Sequence, residues 1–239
     1  MTRPWTHIPI FDSGEELLPI PNSIPRSDPH PYAVLGAPYG GDMNPWYLRS
    51  GVLDRLLKAQ NYLKSIEPSL NLFLFDAWRP IVVQKFMINY TVNSMCSSKG
   101  IDKEDPESKI MLDKIINQVN QFWAPPSSDP KTPPPHSTGS AIDITISDKN
   151  SFFLDMGGEI DEIGPRSHPN YYLDNLSENK SYGLYNKRRI LLRESMSKFD
   201  FVQHPNEWWH FSYGDQLWAW KSSSKIAIYG ASSATLSNL

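Results

Sequence analysis

Pro134-Pro135-His136-Ser137-Thr138-Gly139-Ser140-Ala141-Ile142-Asp143-Ile144-Thr145 sets a histidine and an aspartate seven residues apart, with Gly139 and small residues between them. His136 follows three prolines and so leaves a stiff, polyproline-like loop. Ala141-Ile142-Asp143-Ile144-Thr145-Ile146 is apolar and β-branched, which reads as a buried strand. An ionised carboxylate inside such a strand is costly unless a cation or hydrogen-bond donors meet it, and a bound metal resolves that cost. Further on, Glu207-Trp208-Trp209-His210-Phe211 supplies a second acid and a second imidazole. His136, Asp143 and His210 make a three-ligand zinc set with one coordination position open, where Glu207 can act on water. Taken singly the parts are ordinary: a histidine beside prolines is a common loop residue, a strand aspartate is commonly structural, and Glu-x-x-His recurs by chance. Their conjunction carries the metal reading.

Six stretches then carry a resemblance: Phe75-Asp76-Ala77-Trp78-Arg79-Pro80, Gly139-Ser140-Ala141-Ile142-Asp143-Ile144-Thr145, Asp155-Met156-Gly157, Ile160-Asp161-Glu162, Arg166-Ser167-His168 and Glu207-Trp208-Trp209-His210-Phe211. In this order they resemble the D-alanyl-D-alanine metallopeptidases, relatives of lysostaphin-type zinc peptidases and of the hedgehog amino-terminal domain. The branch most resembled is the D-alanyl-D-alanine dipeptidases of vancomycin-resistance operons, over roughly residues 30 to 215.

The resemblance implies an α+β fold in which a small antiparallel sheet carries the zinc site and helices pack on its outer face. It implies one zinc per chain on His136, Asp143 and His210, a small dipeptide substrate, and Glu207 as general base. It assigns oxyanion stabilisation to Arg79 of the Asp-x-x-Arg-Pro motif, which otherwise reads as a salt-bridge partner of Asp76. Asp161 corresponds to the family aspartate that pairs with the substrate's free amino group. His168 matches a family motif and reads as loop-structuring. Pro134 stands where the resistance dipeptidases carry a serine that contacts substrate, and proline has neither hydroxyl nor amide hydrogen. Carboxylate recognition must therefore differ. A zinc D,D-carboxypeptidase or endopeptidase on wall peptides is the alternative enzyme. A non-catalytic zinc-binding module is the third reading, although it would have no need of Glu207 or Arg79.

With 239 residues the chain can bury a substantial core. Its net charge of −3 gives no reason to expect nucleic acid or an anionic membrane as partner. The single cysteine, Cys96, excludes an internal disulfide and reads as a packing residue. No apolar run approaches the roughly 20 residues that cross a bilayer, and the start lacks the apolar segment of a signal peptide, so the cytoplasm is expected.

Residues 1–48 hold many of the 21 prolines and read as an extended arm packed on the domain, with His7 and His30 as surface or packing residues. Residues 49–221 form the peptidase domain and 222–239 a serine-rich tail of no evident chemical use. Within the domain, Val52, Leu53, Leu56, Leu57, Leu63 and Ile66 make a helical stripe ended by Pro68. Asn71 to Phe75 is a buried strand delivering Asp76 and Arg79, and Pro80 opens a helix through Tyr90. A further helix is expected over Glu107–Phe122 with Ile110, Met111, Ile115, Ile116 and Val119 inward. The segment 147–180 reads as a long loop over the site. Lys187–Lys198 reads as a helix, and Phe199–Val202 and Trp209–Tyr213 as an antiparallel pair around His204-Pro205-Asn206.

Overall fold

In the computed structural model, which describes residues 3–39, 44–177 and 179–232, the chain runs β1 (Leu17–Pro19), α1 (Pro31–Val34), β2 (Tyr47–Arg49), α2 (Ser50–Ile66), β3 (Leu70–Asp76), α3 (Ile81–Ser98), α4 (Lys109–Phe122), β4 (Ala141–Asp148), α5 (Tyr171–Asp174), α6 (Tyr182–Ser197), β5 (Val202–Gln203), β6 (His210–Ser212) and α7 (Gln216–Lys221). The expected α+β class is what the structure has. β1 and β2 pair by themselves, and the other four strands form an antiparallel sheet in the order β3-β4-β6-β5.

Register is what positions the site. β4 alternates: Ile142, Ile144 and Ile146 enter the main core, while Asp143, Thr145 and Ser147 point to the opposite face. Leu74 pairs with Ile144, but the next pairing is Asp76 with Asp143, so Phe75 is an extra, bulged residue. The bulge turns Asp76 onto the same face as Asp143. On the other side of β4, Asp143 pairs with His210 of β6. Three adjacent strands thus present Asp76, Asp143 and His210 in one row.

The main core lies against α2 and α6. Val52, Leu56, Ala59 and Leu63 of α2 are fully buried there, joined by Leu192 and Met196 of α6. Ile66, expected on the α2 stripe, is 44% exposed because it sits at the last turn, where the helix runs past the sheet. The pair α3 and α4 makes a second cluster with Tyr32, Tyr39, Cys96 and Trp123. In α4 only Ile115 and Val119 are buried; Ile110, Met111 and Ile116, expected inward, are 70, 45 and 37% exposed. α4 packs along one narrow seam against α3, so its apolar stripe is wider than the surface it covers. α6 starts at Tyr182, earlier than expected, because Tyr182 and Tyr185 pack against Tyr172 of α5. The expected pairing near the C-terminal end exists but is short: Val202 meets Ser212 and Gln203 meets Phe211. Asp200, at a φ of 66°, ends the extended backbone on the β5 side.

The arm enters every cluster. Trp5 and Ile8 pack with Leu217 and Ala227, Ile20 and Ile24 join the main core, and Tyr32 the second cluster. The segment after Ser222, expected to be idle, is laced into the fold through residue 232. Ala227 bridges Ile10, the Tyr229 hydroxyl donates to Glu15 at 2.8 Å, and the Ser232 amide donates to the Ser137 carbonyl at 3.0 Å. Residues 233–239 of the expected tail lie outside the described residues. Arg49 ties these parts together, donating to Asp12 at 2.9 Å, the Thr138 carbonyl at 2.9 Å and the Gly230 carbonyl at 3.1 Å.

Candidate metal centre and its pocket

Pro135–Thr138 forms one 3₁₀ turn, which Gly139 ends in the left-handed region at φ 73°. A side chain at Gly139 would also run into Leu17, so the turn demands glycine twice over. The turn holds His136 with Nδ1 2.7 Å from the Ala77 carbonyl. A carbonyl can only accept, so Nδ1 carries the proton and Nε2 keeps its lone pair for a metal. In His210, Nε2 lies 3.3 Å from Ser212 Oγ, which can accept its proton and leave Nδ1 free.

These two free nitrogens and the Asp143 carboxylate converge. His136 Nε2 is 3.2 Å from His210 Nδ1 and 3.3 Å from Asp143 Oδ2, and His210 Nδ1 is 3.1 Å from Asp143 Oδ1. A tetrahedral metal with bonds of about 2.0–2.1 Å needs donors about 3.3 Å apart. The donor set therefore fits zinc in element, number and spacing, and all three residues are buried. Burial works against the Asp143 charge, but His136 and His210 outweigh it and hold the carboxyl well below the usual carboxylate range.

Arg79 and Asp76 form the buried floor. Arg79 donates to Asp76 Oδ2 from Nη2 at 2.6 Å and from Nε at 3.0 Å, and to Gln84 Oε1 from Nη1 at 2.8 Å. Its Nη2 also reaches the Tyr32 hydroxyl at 3.3 Å and Asp143 Oδ2 at 3.4 Å. Arg79 forms the ion pair with Asp76 that the sequence allowed, and it lines the same pocket as the triad. Burial alone would weaken its charge, yet Asp76, Tyr32 and Asp143 raise the guanidinium above its ordinary value. Asp76 also accepts from His30 Nε2 at 2.9 Å, so His30, read from sequence as a surface or packing residue, is a buried hydrogen-bonding member of this floor.

Glu207 stands beside the triad, with Oε2 3.6 Å from His210 Nδ1 and Oε1 3.6 Å from His204 Nδ1. Burial, then the charge of Asp143, pushes its carboxyl up to about 8. A cation on the triad would draw that value back down. Asp161, at φ 66°, accepts from the Tyr32 hydroxyl at 2.8 Å. Burial and then Asp143 push its carboxyl up to about 7.

A single pocket of about 470 Å³ gathers His136, Asp143, His210, Glu207, Arg79 and Asp161, together with Arg3, Gln84, Trp123, His204 and Trp209. Every residue singled out from the sequence for chemistry thus lines one cavity. His7 and His168 are exposed and lie away from it; the carbonyl of His168 accepts from Arg189 at 2.9 Å, in keeping with a loop-structuring role. Sequence reasoning missed Arg3, Gln84 and His204 as pocket residues, and Tyr32 as the hydroxyl that donates to Asp161 behind them. Only His204 gave a local signal, through its place in the turn before Glu207. Arg3 and Tyr32 arrive from the proline-rich arm, where no spacing points to the site.

The family model for D-ala-D-ala dipeptidases matches residues 26–227. A curated D-alanyl-D-alanine dipeptidase from Synechocystis sp. is 46% identical over 241 residues, covering 95% of this chain and 96% of that one. A D-alanyl-D-alanine dipeptidase of Escherichia coli is 38% identical over 76 residues, covering 32% of this chain and 36% of that one. The solved LdcB LD-carboxypeptidase superposes with a TM-score of 0.46 at 15% identity, over 91% of this chain and 76% of that one, a likeness too distant to argue from. The family model spans most of the chain and the Synechocystis relative aligns nearly end to end, so the chain belongs to the D-ala-D-ala dipeptidase family of peptidases.

Proposed function

We propose that this chain is a zinc-dependent dipeptidase that hydrolyses D-Ala-D-Ala or a similar small D-dipeptide. The observation that carries the reading is the convergence, in one pocket, of two imidazole nitrogens and the Asp143 carboxylate, in pairwise contact at 3.1–3.3 Å, with Glu207 beside them. The Synechocystis relative supports the substrate class.

His136, Asp143 and His210 hold the zinc, one per chain. When bound, zinc supplies the Lewis acidity that makes water a nucleophile near neutral pH. Glu207 takes a proton from the attacking water and delivers it to the leaving amine, a task its place beside His210 allows and for which the zinc charge would keep it ionised. Four N–H groups of Arg79 are committed to Asp76, Tyr32, Asp143 and Gln84, which fixes its plane. The second N–H of Nη1 has no acceptor among the described residues, and it serves the oxygen on which charge develops. Removing one such donor costs about 3 kcal/mol of transition-state stabilisation in comparable sites.

Asp161 receives the substrate's ammonium group. Its carboxylate is disfavoured by burial and by Asp143, and an ammonium relieves both by donating a charge-assisted hydrogen bond to a fixed oxygen. An acetylated amine leaves that carboxylate uncompensated, so free dipeptides are the preferred substrates.

The test is release of amino groups from D,D-, L,D- and L,L-dipeptides, each with an N-acetylated control. Free D,D-dipeptides should be cleaved well and their acetylated forms poorly, and Asp161→Ala should narrow that gap. Cleavage of acetylated tripeptides as fast as free D-Ala-D-Ala would replace the dipeptidase reading with a carboxypeptidase.

A further inference from the structure

Arg3 is a partly buried cation with unused donors at the edge of the pocket. A guanidinium carries five N–H groups. Arg3 spends one, from Nη2 to the Phe122 carbonyl at 3.2 Å, and its plane lies 5.6 Å from the centre of the Trp5 ring. It forms no ion pair among the described residues, whereas Arg79 is held by two aspartates. Trp5, 6% exposed and edge-on to His204 at 5.7 Å, fixes the arm against the pocket wall.

Resting on the dipeptidase reading above, we infer that Arg3 is the receptor for the substrate's terminal carboxylate and so sets the requirement for a free C-terminus. The chemistry of the reaction says where that receptor must be. Hydrolysis breaks the peptide C–N bond, adds the water's oxygen to the carbonyl carbon, and passes a proton through Glu207 to the leaving nitrogen. In a dipeptide the carboxylate carbon is two bonds from that nitrogen, about 2.5 Å away. Its receptor therefore stands on the Glu207 side of the triad, away from the amino-group site. Arg3 is on that side: it shares a groove wall with Trp5 and His204, and His204 Nδ1 lies 3.6 Å from Glu207, while Asp161 is tied to Tyr32, next to Arg79.

The neighbouring wall offers little else. Pro135 brings no amide hydrogen, and the pocket's other guanidinium, Arg79, is held by Asp76, Gln84, Tyr32 and Asp143, with its remaining N–H turned to the developing oxyanion. A carboxylate docked on Arg3 gains a forked, charge-assisted pair. Substrate then lies between two opposite charges, Asp161 for its ammonium and Arg3 for its carboxylate, with the scissile bond over the triad.

The experiment compares D-Ala-D-Ala with its C-terminal amide on the zinc-loaded enzyme, for wild type, Arg3→Gln and Arg3→Lys. Gln keeps a donor for the Phe122 carbonyl while removing the charge, and thermal melting checks that each variant is folded. Wild type should prefer the free acid on the order of 100-fold in kcat/KM. Arg3→Gln should lose most of that preference through a raised KM for the acid, with the amide little changed, and Arg3→Lys should fall between. The inference is overturned if wild type handles acid and amide alike, or if Arg3→Gln keeps the preference. It is also overturned if Arg3→Gln slows both substrates equally in kcat, since Arg3 would then act through Glu207. Should wild type cleave neither compound nor any other D-dipeptide, the dipeptidase reading itself fails, an outcome distinct from all of these.

Discussion

Replacing Asp76 by asparagine should unsettle the site without touching a metal ligand. Asp76 is fully buried, and its two oxygens accept from Arg79 twice, from His30 at 2.9 Å and from the Tyr39 hydroxyl at 3.5 Å. Removing one partner of a buried ion pair costs about 3–5 kcal/mol. Asparagine keeps one acceptor oxygen, and Arg79 keeps a longer contact with Asp143, so the lower end, about 3 kcal/mol, applies. For a chain of 239 residues each kcal/mol shifts Tm by about 2–4 °C, giving a fall of roughly 6–12 °C. Burial opposes the Asp76 charge, but Arg79 and His30 outweigh it and hold the carboxyl below its ordinary value. A depressed folded-state pKa gives stability that is present above the unfolded value near 4 and lost as pH falls through the folded one. The Tm gap between wild type and variant should therefore be full at pH 7 and close as pH drops below about 4. In metal-saturated buffer the zinc content should stay near one per chain, while kcat falls by about tenfold or more because Arg79 loses its anchor. Melting curves across pH, metal analysis and steady-state kinetics check all three. A variant with wild-type Tm at pH 7 and wild-type kcat would show that the buried pair does not hold Arg79 in place.

Other perturbations separate the parts of the site. His136→Ala and His210→Ala should each strip most of the zinc, measured by elemental analysis after dialysis; undiminished metal in both would refute the ligand assignment. Glu207→Ala should retain zinc yet lose nearly all turnover, and a wild-type rate in that variant would mean another group moves the proton. Gly139→Ala should cost about 1–3 kcal/mol, read as a lower Tm, because a methyl group meets Leu17 at a positive φ. An unchanged melting temperature there would mean the turn relaxes freely.

Much of the fold was legible because its signals are local. The β-branched run Ala141–Ile146, the apolar stripe of α2 and Pro80 ahead of α3 each declare an element within a few residues. Boundaries failed where a distant partner decided them. Tyr182 and Gly183 have no strong helical pattern of their own, and α6 begins there because Tyr172 supplies a surface to pack on. The inward stripe expected for α4 failed in the opposite way: three apolar residues fit the period, but no element among the described residues covers them.

The sequence by itself offered the donor set, His136, Asp143 and His210 as ligands to be weighed with Glu207 beside them, while Arg79 and Asp161 joined them only through the family resemblance. Side-chain chemistry and short spacings are properties of the chain alone, and they survive any arrangement of the rest. Only the tertiary structure decided that these donors meet at 3.1–3.3 Å, because that depends on strand register and on the Phe75 bulge. Only it brought Arg3 of the arm to the same pocket, Tyr32 to Asp161 and His30 to Asp76. Contacts between residues dozens to more than a hundred positions apart arise from burial of apolar surface shared by distant segments, and no local pattern records which segments will share it.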